Sequence, residues 1–353
     1  MTTDAARARA LDRVEQLCAA NDSDARSLRL ALLAEIRRVI SFDAFAWLLT
    51  DPETAVGGAP LADVPCLPEL PLLIRLKYLT PLNRWTQLPG PVALLRTTTG
   101  GSLDRSLLWR ELLARYGVHD MASLVFRDAF GWWAFLDLWR SSSSDDFTPA
   151  DATFLAAITP HITAALRQCQ ARTFAITAAA PRASGPVVLI LSPDLDVRAQ
   201  TPEAEALLRI LVPTEADRRP IPAAAYNVAA QLLCAEAAID DHPAMARTHV
   251  ANGLWLTLRA ARLGGEGDVA RQDIAVTIGP ATPAERTAVF VRAVGFSGRE
   301  AELMERLVAG ADTHDIAHEL ILSEHTVQDH LKSMFAKTST HSRRALVARA
   351  AGR

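Results

Sequence analysis

The sequence predicts two α+β domains followed by an all-α, tetrahelical helix-turn-helix domain, and three observations carry that expectation. Up to about residue 282, segments of helical apolar period alternate with β-branched and aromatic segments bounded by turn residues. Over residues 296–353 only the helical period remains, with a capping residue at each start. Positive charge gathers at the end: residues 323–353 hold six Lys or Arg against two acids, whereas residues 296–320 hold two against six. At 353 residues the chain exceeds one ordinary core, since domains run to about 100–200 residues.

The first α+β domain is read over residues 1–172. Leu11, Val14 and Leu17 mark one helix and, after Asn21-Asp22-Ser23-Asp24, Leu28, Leu32, Ile36 and Val39 mark a second. The period then changes, and residues 42–50 form a strand running into the turn Asp51-Pro52-Glu53-Thr54. Residues 121–127 and 132–139 are paired strands joined by Asp128-Ala129-Phe130-Gly131. After a polar loop at 141–146, Thr148 caps a long helix with Pro149 at its first position and Asp151 in its first turn. Its stripe of Phe154, Leu155, Ile158, Ile162, Ala165 and Leu166 passes Pro160, where a kink is expected.

Residues 171–186, rich in Ala with Pro, Ser and Gly, mark a boundary, and the second α+β domain is read over 185–282. Strands at 187–191 and 197–199 flank the turn Ser192-Pro193-Asp194-Leu195-Asp196, and helices follow at 202–210 and 222–238. Strands at 247–251 and 254–260 surround Asn252-Gly253, the strongest short hairpin signal in the chain, and 274–278 closes the sheet. Gly264-Gly265-Glu266-Gly267 has no helix after it and reads as a loose hairpin tip rather than a phosphate loop.

Residues 283–295 read as a linker helix. Ser297 and Glu300 then stand at capping-box spacing ahead of Leu303, Met304, Leu307 and Val308, and Gly310 ends that helix. Thr313 is the expected cap of a second short helix with Ile316, Ala317 and Leu320 inward, and Ser323 of a third, after the connection Ile321-Leu322. Two short helices so joined form a helix-turn-helix. On the third helix Val327, Leu331, Met334 and Phe335 share the packed side, leaving His325, Gln328, Asp329 and Lys332 outward. His330 falls at the edge of the packed face, where a structural role and a phosphate contact are both open. A final helix over 342–350 buries Leu346 and Val347 and exposes Arg343, Arg344 and Arg349.

Composition excludes several classes. Half the residues are hydrophobic and 22% charged, as in a globular protein, and the N-terminus has no apolar leader. No run of about 18 uncharged apolar residues suggests a membrane span; a cytoplasmic location is expected. Cys18, Cys66, Cys169 and Cys234 stand singly, without metal-ligand spacing, and read as buried thiols. The net charge of −3 requires any nucleic-acid contact to come from a local patch. Asp51 lacks the surroundings of a phospho-acceptor, Thr159-Pro160-His161 has no ATP-binding segment after it, and no convergent nucleophile and base appear. No catalytic residue, metal or cofactor is therefore expected. Six of the seven tryptophans lie in the first 140 residues; Trp47, Trp85 and Trp133 are the candidates for an aromatic ligand site, against the alternative that they anchor the core.

The tail resembles the LuxR-type DNA-binding module over some 58 residues. The likeness rests on Phe296-Ser297-Gly298-Arg299-Glu300-Ala301-Glu302, Ile316-Ala317, Leu322-Ser323-Glu324-His325-Thr326-Val327, His330-Leu331, Phe335-Ala336-Lys337 and Ser342-Arg343-Arg344-Ala345-Leu346-Val347-Ala348. It departs from the usual pattern at Gly298, His314, Gln328 and Thr338-Ser339. The resemblance implies a transcription regulator that binds promoter DNA as a homodimer, with RNA polymerase a candidate partner. It places Thr313, His314, Ser323, His325, Thr326, Gln328, Asp329, Lys332, Lys337 and Arg343 at the DNA. Pairing is expected through Leu346, Val347 and Ala350 of the last helix, a strip larger than a three-helix core needs. More faintly, residues 1–172 resemble the GAF-like sensor domains of actinobacterial regulators, and 185–282 are similar to PAS-like domains. A small-molecule or protein signal is then implied. The rival class is an interaction protein, or an enzyme carrying a vestigial DNA-binding tail.

Overall fold

The computed structural model describes residues 4–20, 23–141, 145–175, 187–211, 220, 222–250, 253–264 and 269–352. Much of the expected boundary at 171–186, Asn252 of the hairpin turn, and Gly265, Glu266 and Gly267 of the glycine run lie outside them.

The first domain is a five-stranded antiparallel sheet of order β2-β1-β5-β4-β3. Its strands are β1 (Ala44–Thr50), β2 (Gly57–Asp63), β3 (Val92–Leu94), β4 (Val118–Asp128) and β5 (Gly131–Ser141). Strand alternation sends Trp47, Leu124, Phe126, Leu136 and Leu138 to one face. There they meet α1 (Asp4–Ala19), α2 (Ala25–Arg37) and α6 (Pro149–Thr173). The opposite face, carrying Phe135, Asp137 and Trp139, is covered by α3 (Leu70–Leu79) and the short helices α4 (Leu95–Thr99) and α5 (Leu107–Glu111). Burial on both faces explains why the β4–β5 hairpin reads as two nearly continuous apolar runs. Thr148 and Asp151 form the expected capping box of α6, and the helix continues as one element past Pro160.

The second sheet repeats the same strand order, β7-β6-β10-β9-β8. Its elements are β6 (Val187–Leu191), β7 (Val197–Gln200), α7 (Pro202–Leu211), α8 (Ala223–Glu236), β8 (Met245–His249), β9 (Trp255–Arg262) and β10 (Ile274–Pro280). Helix α8 is buried almost all round, and its alanines let it lie between its own sheet and α3 and β2 of the first domain. Gly57 marks the closest approach: a Cβ there would stand 2.7 Å from Leu48 and 3.3 Å from the Asn227 side chain.

Two buried ion pairs cross the seam between the domains. Arg247 on β8 grips Asp51 bidentately, Nε to Oδ2 and Nη2 to Oδ1 at 2.7 Å each. Arg84 donates to Asp240 at 2.8 Å and to Gln231 at 2.9 Å. Burial alone would raise the Asp240 carboxyl, but hydrogen bonds from His242 and Thr86 and the Arg84 charge hold it far below the usual range.

Five helices follow: α9 (Pro283–Val294), α10 (Gly298–Ala309), α11 (Thr313–Leu320), α12 (Glu324–Thr338) and α13 (Arg343–Ala351). The helix at 283–295, expected as a linker, is instead a packing element. Capped by Thr282 and Glu285, α9 buries Val289, Phe290 and Ala293 and touches α6, α10 and α13. One apolar core therefore runs from the first sheet to Ala350. Among the described residues, no helix is long and apolar enough to cross a membrane. The four cysteines are buried thiols.

Candidate nucleic-acid interface

The C-terminal helices are fixed by local chemistry. Ser297 and Glu300 cap α10 reciprocally, and Gly310 closes it in the left-handed conformation. Glu300 also reaches across to α12: its buried carboxylate accepts from Ser333 Oγ at 2.7 Å and Lys337 Nζ at 2.6 Å. Burial would raise this carboxyl, but Lys337 and the other donors keep it below its usual range.

The cap of α11 is Asp312, not Thr313: Asp312 Oδ1 accepts from Asp315 N at 2.9 Å. A carboxylate outcompetes a hydroxyl as acceptor at a helix N-terminus, so the cap falls one residue earlier than expected. Thr313 is the first helical residue, and its hydroxyl receives hydrogen bonds from Arg343 of α13 and, at 3.4 Å, Gln328 of α12. The turn to α12 passes through Ile321, which adopts left-handed backbone at φ 55° and is 93% exposed. Ser323 then caps α12 through Thr326 N at 3.0 Å.

Helix α12 buries Val327, Leu331 and Met334, and His330 lies half-buried at the edge of that face. His325, Gln328, Asp329 and Lys332 are exposed together, with Thr326 half-buried beside them. Asp329 lies 3.0 Å from Lys332 Nζ and 3.5 Å from His325 Nε2, and Lys332 lowers its carboxyl below the usual range. At the other end of the turn, His314 Nδ1 lies 3.1 Å from Glu324, which raises the imidazole. Thus Thr313, His314, Gln328 and Arg343 cluster where α11 and α12 converge with α13, while His325, Asp329 and Lys332 line the outer side of α12. Lys337 stands apart, tied to Glu300 and to Gly295 O at 3.1 Å.

Helix α13 corrects two expectations. Arg343 and Arg349 are half-buried, not exposed: Arg349 donates to Thr338 O, and Arg343 to Thr313. The apolar strip is also spent within the chain. Leu346 and Ala350 are fully buried with α9 alongside, and Val347 alone of the three is half-buried. A three-helix core would leave the strip in excess, but α9 packs on α13 as a fourth helix.

The three tryptophans do not converge. Trp47 stacks on Phe126 at 5.4 Å, on the α1–α2–α6 side. Trp133 is buried on that side too, with its indole bonded to Asp128. Trp85 lies across the sheet, stacked on Phe135 at 4.4 Å. A cavity of about 180 Å³, where this sheet faces α3 and α8, is lined instead by residues including Leu48, Tyr78, Trp139 and Asn227, with the buried ion pair Lys77–Asp137 at 2.7 Å in its wall. Asp137, a lone acid inside an apolar strand, was the signal available for this site.

Residues 294–350 match the family model described as bacterial regulatory proteins, luxR family. The C-terminal helices are therefore a LuxR-family helix-turn-helix DNA-binding domain. Among solved structures the chain is similar to the Vibrio cholerae VqmA dimer, described as a LuxR-type receptor in the absence of target DNA. The identity is 14%, over 47% of this chain and 81% of that one, with a TM-score of 0.17. It is also similar to the sensor region of a sensor histidine kinase, at 16% identity over 47% of this chain and 65% of that one, with a TM-score of 0.17. Superposition at that level does not define a shared overall fold. No curated protein matches the chain.

Proposed function

We propose that the protein is a transcription regulator that binds promoter DNA as a homodimer and is gated by a signal at its two N-terminal domains, GAF-like and then PAS-like. The observation that carries this reading is the α11–Ile321–α12 arrangement: a capped, fifteen-residue helix with its apolar side packed and a row of hydrogen-bonding side chains exposed. Gln328 suits the N6 and N7 edge of adenine, Lys332 the acceptors of guanine, and Asp329 the N4 donor of cytosine. His314, Ser323, Thr326 and Arg343 flank the row at positions suited to phosphates. The shared strand order of the two sheets supports related sensor domains. Pairing of two chains would give a two-fold reader of a palindrome. Since α9 covers Leu346 and Ala350, pairing through α13 would exchange that contact.

A mobility-shift series with the full chain and promoter fragments tests the reading. Salt-sensitive binding with two chains per duplex is expected; binding by one chain would remove the dimer, and no binding would favour the interaction-protein class.

A further inference from the structure

Along the seam between the two N-terminal domains lies a cavity of about 400 Å³, with no described lining residue on α9 to α13. The start of α2, β1, β2 and the end of α6 wall one side; α8, β8 and β9 wall the other. Its charged lining is Arg26, Arg29, Arg172 and Arg247 against Asp24 and Asp51. Asp51 is engaged by Arg247, and Asp24 caps α2 through Arg26 N and Ser27 N and also accepts from Ser27 Oγ. Among the described residues the lining therefore holds more positive than negative groups.

Arg29 is the unusual member. It is buried, and its guanidinium donates only to carbonyl oxygens: Ala25 at 3.0 Å, Trp47 at 2.9 Å and Ala59 at 3.0 Å. Among the described residues no carboxylate pairs with it, and burial pushes its pKa down to about 10. The Asp24 charge offsets this only in part, and a buried cation without a paired carboxylate is costly. Two more lining groups carry unpartnered buried atoms: Thr50 Oγ1, in a side chain only 8% exposed, and His249 Nε2. Arg172 adds a guanidinium that also donates to Ser23 O at 2.8 Å and approaches Cys169 Sγ at 3.2 Å.

We propose that this cavity binds a small anion, a carboxylate or phosphate on a compact body, which Arg29 recognises by charge with Arg26 at the rim, and to which the Thr50 hydroxyl donates. The anion bridges the two domains, and its occupancy reaches the DNA-binding helices through packed rings. His249, on the cavity wall, lies 5.6 Å from Trp255; Trp255 stacks on Phe174 at 4.7 Å; Phe174 meets Phe290 of α9 at 5.2 Å; Phe290 meets Phe296 at 5.7 Å. This second half rests on the proposed DNA-binding function. By linkage, an anion that shifts this stack alters DNA affinity, and DNA alters anion affinity by the same factor.

The test uses the full chain and three probes at matched ionic strength: inorganic phosphate, succinate and the neutral succinamide. Each is titrated by calorimetry, with DNA binding measured in parallel. We expect phosphate or succinate to bind at one site per chain, identifying the anionic group, and succinamide not to bind. Thr50→Val, nearly isosteric, weakens binding about tenfold. Arg26→Ala, at the exposed rim, weakens it a few-fold without changing the melting temperature. Phe174→Leu retains anion binding but removes the anion's effect on DNA affinity. Binding of neither anion, equal binding of succinamide, or indifference to both Thr50→Val and Arg26→Ala overturns the site; an unchanged anion effect in Phe174→Leu overturns the coupling. DNA binding without anion binding sinks the cavity alone, and anion binding without DNA binding sinks the regulator reading alone.

Discussion

Arg286 of α9 holds the last turn of the chain's final helix to the second sheet: its Nε donates to Ala350 O at 3.1 Å, while Nη2 reaches Arg349 O at 3.2 Å and Nη1 reaches Gly253 O at 3.1 Å. Carbonyls at a helix C-terminus lack intrahelical donors, and here one buried guanidinium supplies them. Arg286→Ala leaves these acceptors without it and is expected to lower unfolding stability by about 2–4 kcal/mol. Hydrogen exchange of α13 amides should quicken more than that of α10 or α12. Uniform quickening would mean that Arg286 supports the whole chain rather than this helix.

His249 gives a pH signature. Burial, helped by the Arg286 charge, pushes its imidazole from 6.5 down to about 4. Between those values the unfolded chain takes up a proton that the folded chain refuses. Stability therefore falls as pH drops through that window, by about 3 kcal/mol in all. Urea unfolding from pH 7 to pH 4 should show the loss in wild type and a shallower slope in His249→Gln. Parallel slopes would assign the acid sensitivity elsewhere.

The domain seam should fail when one partner of a buried pair is removed. Arg84→Ala leaves the buried Asp240 to its hydrogen bonds with His242 and Thr86, at an expected cost of about 3 kcal/mol. Replacing both residues by apolar ones of similar volume should recover much of it. Thermal melts of the single and double variants measure the difference; a double variant no better than Arg84→Ala would show that shape, not charge, governs the seam.

Ile321 is strained. A β-branched residue in left-handed backbone costs about 1–2 kcal/mol, and this side chain, 93% exposed, gains little packing in return. Ile321→Gly should raise stability by about 1 kcal/mol. If melting is unchanged or lowered, the turn draws its conformation from the isoleucine itself.

How much of this was legible in sequence follows from the range of the interactions. The helix-turn-helix was readable because caps such as Ser297–Glu300 and Ser323–Thr326 act across three residues, and the apolar period of α12 is its packing face. Asp312 was missed because Thr313, one residue on, is also a residue type found at caps. Helix α3, Leu-Pro-Leu-Leu-Ile-Arg-Leu-Lys-Tyr-Leu, was unread because burial on several sides leaves no clean period. Edge strand β2 was hidden by Gly57, Gly58 and Pro60. Asp51 and Arg247 stand 196 residues apart, so their pairing leaves no local trace. For the same reason the seam cavity and the packing of α9 on α13 emerge only in three dimensions.

On α12, Asp329 already pairs with Lys332 at 3.0 Å. Breaking that exposed pair costs little, so both side chains remain able to reach base edges. Asp329→Ala is expected to relax sequence preference at one base pair while keeping or raising affinity for bulk DNA, because it removes a charge that repels phosphate. Binding-site selection with wild type and variant decides; identical sequence preferences would leave Asp329 as a surface partner of Lys332 only.

Presentation of α12 to duplex DNA is decided by the affinity of the full chain for a selected operator, measured with Lys332 intact and replaced by Ala. Tight binding is expected, its logarithm falling linearly with the logarithm of salt concentration, and Lys332→Ala should weaken it by about 1–3 kcal/mol with the fold intact. Equal affinity in the two proteins, or no duplex binding by either, would mean that α12 does not read DNA.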